Sequence, residues 1–374
     1  MFRGLLVAIK MIKMNIRATS GWALGVIALL CSCGEPDGRP KSVEELFAGL
    51  EVSCSSERMD FDEREMVEPI YIACLDNSLL IGSFFTDPQV TVYDLDSQKR
   101  VGAFLHKGRA NKEILQVDGV DCCGGRIYVY SGSDRKLAIT DRVGLRQTPV
   151  PLEVRTMSEI PDGHGYGRHP IGGGRFVSTG YQSSDPDCQF FLTDSSLCEV
   201  KGFDAYPETA ATTGLTPAEM ALGYNGNVKV SPDGSHFVAT SRQGAVWKFF
   251  DCRTDSVPVK TAEYLFEVPV FSSASSGSHS TVRFDPDNVQ GVLSATSDDR
   301  YFYLLYSDRR PWRDWLRESD AVYVFTHEGK PVRKVRLDVP VGWIVSGAEG
   351  EALYMIKATD EGYQVRRIVW ENQF

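Results

Sequence analysis

Val228–Ser241 reads VKVSPDGSHFVATS, two short β-type runs around one tight turn. Val228 and Val230 alternate with Lys229, the pattern of a half-buried strand. Pro232-Asp233-Gly234 is a turn signal, because proline presets φ and glycine supplies φ > 0. Phe237, Val238, Ala239 and Thr240 then resume with aromatic and β-branched residues.

Similar hairpins recur along the chain. Their turns fall near positions 77, 125, 173, 233, 298 and 349, separated by 48, 48, 60, 65 and 51 residues. A β-propeller with four strands per blade repeats at about this spacing, roughly fifty residues. The expectation is an all-β, six-bladed propeller with four-stranded antiparallel blades over residues 45–374. Outer strands follow each hairpin, among them Gln89–Asp94, Arg100–Leu105 and Gln147–Leu152. The sixth unit offers only Val365–Trp370 after its hairpin, so the N-terminal segment around Leu50–Phe61 is expected to close the ring. Closure removes exposed strand edges.

Ser231-Pro232-Asp233-Gly234, followed by Phe237-Val238-Ala239, resembles the S-P-D-G turn of TolB-type propeller repeats. With its N-terminal signal and six irregular units, the whole chain is similar to the TolB-like six-bladed propeller lipoproteins of Gram-negative gut bacteria. Gly108-Arg109-Ala110-Asn111-Lys112-Glu113 stands where that family carries a G-x-G-P-x-E-like turn, but lacks the second glycine and the proline. The resemblance implies a fold and a compartment and no particular activity.

The N-terminus reads as an address. Gly21–Leu30 is an apolar run preceded by Arg3, Lys10, Lys13 and Arg17. Ten residues span about 15 Å as a helix, half a bilayer core, which suits a signal peptide over residues 1–32. Leu30-Cys31-Ser32-Cys33 resembles a lipobox, with Ser32 before the lipid-accepting Cys33. An ordinary cleaved secretory signal is the other reading. Residues 33–44 then form the lipidated cysteine and a flexible tether, in which the polar stretch Gly34–Ser42 spans up to roughly 30 Å if extended. The expected location is the outer membrane, facing the periplasm or the cell exterior, with the membrane reached through the lipid at Cys33.

Charge excludes some partners. The chain has 40 Lys and Arg against 50 Asp and Glu. Without the four basic residues of the signal, 36 remain, a net charge of −14. Such a body is unsuited to nucleic acid or to anionic lipid. After Cys33 the cysteines are Cys54, Cys74, Cys122, Cys123, Cys188, Cys198 and Cys252, an odd number that leaves at least one free thiol. Cys188 and Cys198 flank one hairpin and could pair across it. No C-x-x-C occurs.

In a propeller, the connections between strands two and three and between blades open on one face. His164–His169, Asp204–Asn225, Phe271–Asp287 and Asp308–Asp320 are long connections expected there. Asp308–Asp320 gathers Arg309, Arg310, Trp312, Arg313 and Trp315, residue types enriched at binding hot spots. The same stretch also suits an amphipathic helix packed on the propeller. His164, Tyr166, Arg168 and His169 form a second candidate ligand-binding group, read equally as a flexible entry into the third blade. No G-x-S-x-G elbow, phosphate loop or H-E-x-x-H motif is present, so no catalytic residue, cofactor or metal is assigned. The expected function is a lipid-anchored module that binds or scaffolds a protein, peptide or glycan. The alternative is a carbohydrate- or lactone-directed hydrolase or lyase working in the central channel.

Overall fold

The computed structural model describes residues 40–157, 163–196, 199–207, 214–254, 256–275, 277, 279–310, 317–347 and 350–369. Six antiparallel sheets follow one another along the chain. Blade 1 is Tyr71–Leu75, Ser78–Gly82, Val90–Asp94 and Lys99–Phe104. Blade 2 is Gly119–Cys123, Arg126–Ser131, Lys136–Asp141 and Glu153–Thr156. Blade 3 is Gly163–Ile171, Arg175–Gln182, Cys188–Thr193 and Glu199–Ala205. Blade 4 is Val228–Val230, His236–Thr240, Ala245–Asp251 and Val259–Glu267. Blade 5 is Gly291–Ser297, Tyr301–Ser307, Ser319–Thr326 and Pro331–Val341. Blade 6 supplies only Trp343–Ser346, Ala352–Thr359 and Gly362–Val369 from the end of the chain.

The N-terminal segment completes the ring twice over. Glu57–Arg58 pairs antiparallel with the last strand of blade 6 and becomes its fourth strand. Glu51–Cys54 pairs in parallel with Pro331–Val341, adding a fifth strand to blade 5. Just before them, Phe47 packs edge-on against Tyr323 and Phe325 at 5.0 and 5.2 Å. The expected closure by Leu50–Phe61 is therefore met, and it ties two blades instead of one.

Apolar side chains fill the seams between neighbouring blades. Between blades 4 and 5, Trp247 is fully buried with Tyr306 and Phe325 at 5.5 Å each. Between blades 6 and 1 lie Ile81, Tyr93, Val345 and Ile356, and between 1 and 2 lie Leu80, Val92, Val120 and Ile127. The seam of blades 2 and 3 is smaller, built on Tyr130, Leu137, Ile139, Met157 and Phe176.

The Ser231–Gly234 turn is held by its own side chains. Ser231 Oγ donates to Asp233 Oδ1 at 2.6 Å, and the Ser235 N–H donates to the same oxygen at 2.9 Å. Gly234 has φ +74°, and a side chain there would strike the Gly172 amide of blade 3. The Gly172 N–H donates to Gly234 O and the Gly124 N–H to Pro232 O, both at 2.8 Å. The turns of blades 2, 3 and 4 thus meet on one face of the ring.

Two expectations need correction. The fourth strand of blade 2 is Glu153–Thr156, after Gln147–Leu152, because Pro149 and Pro151 withhold the amides a ladder needs. His164–His169 is no loop: Gly163–Ile171 is the innermost strand of blade 3, paired with Arg175–Gln182. Its glycines hid the strand signal, and a bulge at Gly167-Arg168 breaks its alternation. Among the described residues no disulfide joins Cys54, Cys74, Cys122, Cys123, Cys188 and Cys252 to one another, and Cys198 lies outside the described residues.

Candidate functional site at the channel mouth

A cavity of about 560 Å³ occupies the axis. Its lining comes from the first residues of the innermost strands and the ends of the second strands. It therefore opens on the face opposite the Ser231–Gly234 turn, the face of the long connections. Blades 5, 6 and 1 contribute Leu293, Ala295, Trp343, Ile70 and Ile72. Blades 2 to 4 contribute Asp118, Asp121, Tyr130, His164, Tyr166, His169, Asn225, Asn227 and Lys229. One arc is thus largely apolar and the other polar.

The polar arc is organised around Asp121. Its Oδ2 lies 2.7 Å from His169 Nδ1, and its Oδ1 lies 3.7 Å from Lys229 Nζ. These three residues belong to the innermost strands of blades 2, 3 and 4. Burial alone would raise the Asp121 pKa, but His169 and Lys229 outweigh it and hold the carboxyl below its usual range. Asp121 is therefore ionised at neutral pH. The bulge at Gly167-Arg168 sets the orientation of His169. Gly167 has φ +74°, and a Cβ there would lie 2.5 Å from His169 Nε2, so glycine leaves the far side of the ring uncovered.

Around this centre the groups are neutral donors or half-used amides. Burial, then the charge of Asp118, pushes the Tyr71 hydroxyl up to about 12. Burial, then Tyr181, does the same to Tyr166. Asp118 is raised by burial, although its Oδ2 accepts the Gly132 N–H at 2.7 Å. Asn225 Oδ1 accepts from Thr179 at 3.4 Å, and Asn227 Nδ2 donates to Val292 O at 2.8 Å. Among the described residues, nothing pairs with His169 Nε2, Asn225 Nδ2, Asn227 Oδ1 or the Tyr71 and Tyr166 hydroxyls. Unused hydrogen-bonding groups in a concave site are what a polar ligand requires.

The candidates from sequence separate. His164, Tyr166 and His169 line the cavity. His164 stands at the rim, its pKa lowered by the crowding around it and then by Arg168. Arg168 is buried behind the wall and is not a lining residue. Arg309 and Arg310 are not brought to the cavity either: Arg310 pairs with Asp287 at 2.7 Å on the surface. Trp312, Arg313 and Trp315 lie outside the described residues, as do Cys33 and the rest of the N-terminal address. Sequence reading missed Asp121, Lys229, Asp118, Asn225 and Asn227. The available signal was a charged residue inside an apolar innermost strand, as in Val120-Asp121-Cys122 and Val228-Lys229-Val230. No group of three or more His, Cys, Asp or Glu among the described residues is placed to hold a metal ion.

A helix and a ribbon stand beside the mouth. Pro217–Tyr224 begins with a capping box between Thr216 and Glu219. Glu219 also accepts hydrogen bonds from Ser273 and Ser275, linking the helix to the ribbon Phe271–Ser273/Val282–Phe284. Tyr206, Tyr224 and Phe271 form the apolar cluster between them, and Tyr166 of the channel wall packs against it.

The model of the TolB-like 6-blade propeller-like family matches residues 51–346. The chain belongs to this family. Within the TolB-like fold, two solved structures serve as comparisons. A putative exported protein from Bacteroides fragilis is 11% identical with a TM-score of 0.50, the match covering 84% of this chain and 94% of that one. A member of the DUF4221 family from Bacteroides vulgatus is 12% identical with a TM-score of 0.50, covering 84% and 97%. At these identities the likeness concerns the fold alone. No curated protein matches the chain.

Proposed function

We propose that this TolB-like propeller is a lipid-anchored, extracytoplasmic binding module whose ligand enters the mouth of the central channel. The observation that carries the reading is the convergence of polar groups from blades 2, 3 and 4, with unused hydrogen-bonding capacity, on one cavity of about 560 Å³. That volume suits a small molecule, a peptide end or a terminal sugar of a glycan. A propeller fold is compatible with many activities, so the argument rests on the site and not on the architecture.

Binding to peptide and glycan panels tests the site. Tyr166→Ala and the double change Asn225→Ala/Asn227→Ala should weaken a bound member at least about tenfold, the effect of losing one or two hydrogen bonds in a desolvated pocket. Arg310→Ala should leave it unchanged. The opposite result would move the site to the connection that follows Arg310. The anchor rests on Leu30–Cys33. Incorporation of labelled palmitate, lost in Cys33→Ala, is the expected outcome.

A further inference from the structure

We propose that His169 is a general base, oriented by Asp121, for the hydrolysis of small carboxylic esters or lactones bound at the channel mouth, with Lys229 facing the oxyanion. The inference rests on the channel mouth being the ligand site and adds a reaction to it.

The argument starts from hydrogen-bond roles. An ionised carboxylate can only accept, so the 2.7 Å contact with Asp121 places the imidazole hydrogen on Nδ1. In its neutral form such a ring carries its lone pair on Nε2. That nitrogen has no partner among the described residues, and the ring lines the cavity. Gly167 is the residue beside it, where any side chain would cover Nε2. A base held by a third group, with its free nitrogen uncovered, is the arrangement used to activate a nucleophile. Lys229 crosses to the same carboxylate from blade 4, with Nζ 3.7 Å from Oδ1. An ammonium next to a base suits a reaction that develops negative charge on oxygen.

Of the cavity's two serines, Ser294 Oγ donates to Ile344 O at 3.3 Å, and neither it nor Ser133 is hydrogen-bonded to His169, so water is the nucleophile. As the water oxygen bonds to the acyl carbon, its proton passes to Nε2 and the carbonyl π pair moves onto oxygen beside Lys229. The intermediate collapses, the acyl C–O bond breaks, and the departing alkoxide takes the proton from Nε2. Ester and water give acid and alcohol, with no change of oxidation state. The Tyr71 and Tyr166 hydroxyls remain protonated and supply hydrogen bonds to the substrate.

The test uses p-nitrophenyl acetate, p-nitrophenyl butyrate and γ-butyrolactone, with product followed optically or by pH-stat. His169→Gln should lower kcat at least about a hundredfold. Asp121→Asn, a change in a positioning residue, should lower kcat while leaving KM within about twofold. Arg310→Ala should match the unaltered protein. Circular dichroism melting confirms that each variant is folded, and Lys229→Met gives a second reading of the same site if Asp121→Asn does not fold. Equal rates in the unaltered protein and His169→Gln on every probe, including no rate above buffer in either, would overturn the proposal. Calorimetry with the matching unreactive amides separates the two failures. Amide binding without turnover removes the chemistry and leaves the binding site, whereas absence of both removes the channel reading as well.

Discussion

Lys248 is almost fully buried, yet each of its three protons has a partner. Nζ donates to Gln189 Oε1 at 2.8 Å, Asp204 Oδ2 at 2.6 Å and Ala205 O at 2.6 Å, tying blade 4 to blade 3. Burial lowers its pKa and Asp204 opposes that shift. Removing one partner of a buried pair leaves the other desolvated. Lys248→Met should therefore cost roughly 3 kcal/mol in urea unfolding. Lys260→Met, on the more exposed side of Asp204, should cost less than about 1 kcal/mol. A second residue to test is Gly108. Glu113 folds back so that its carboxylate accepts the Ala110 N–H at 2.9 Å, and it occupies the space a Gly108 side chain would need. Gly108→Ala should lower stability by about 1–3 kcal/mol, read from the thermal melt. Gly108 and Glu113 thus meet within the connection between blades 1 and 2.

The helix and ribbon beside the channel mouth depend on one carboxylate. Glu219 is held down to about 2 by hydrogen bonds from Ser273 and Ser275, then by Thr216. A depressed carboxylate contributes stability that is complete above its ordinary value of 4.5 and is lost as pH falls toward 2. Amide NMR of Phe271–Phe284 should report loosening of the ribbon across that window. Glu219→Gln should show the loosened ribbon already at pH 6 and no further change on acidification. Tyr166 of the channel wall packs on the same cluster as the ribbon's Phe271.

Closure is the property of the whole molecule that governs its stability. The N-terminal segment places Phe47 in the seam of blades 4 and 5, a fifth strand on blade 5 and the fourth strand on blade 6. Deleting residues 41–58 should lower the unfolding temperature by about 10 °C or more, because a core aromatic and two strand pairings are lost together. The seam between blades 2 and 3 behaves differently. Its inner end holds Asp121 and His169, two titratable side chains in direct contact. A polar pair there takes the place of apolar packing, the pattern expected where function competes with stability.

Six hairpins, their spacing and the need for an N-terminal closing strand were all legible in the chain, because turn chemistry and strand composition are local properties. Ser231–Gly234 illustrates this: its turn follows from proline, aspartate and glycine alone. Its contacts with Gly124 and Gly172 do not, since they join blades far apart in sequence. The candidate site was legible only in part. His164, Tyr166 and His169 stood out by residue type, but their glycine-rich setting read as a loop and not as the innermost strand. Asp121 and Lys229 looked like ordinary polar positions in short strands. Only the packing of blades 2, 3 and 4 brings His169 and Lys229 within 4 Å of the Asp121 carboxylate. Local sequence determined what each blade would be. Which side chains face one another across the axis was decided by the packing of blades around it, a long-range arrangement no single repeat encodes.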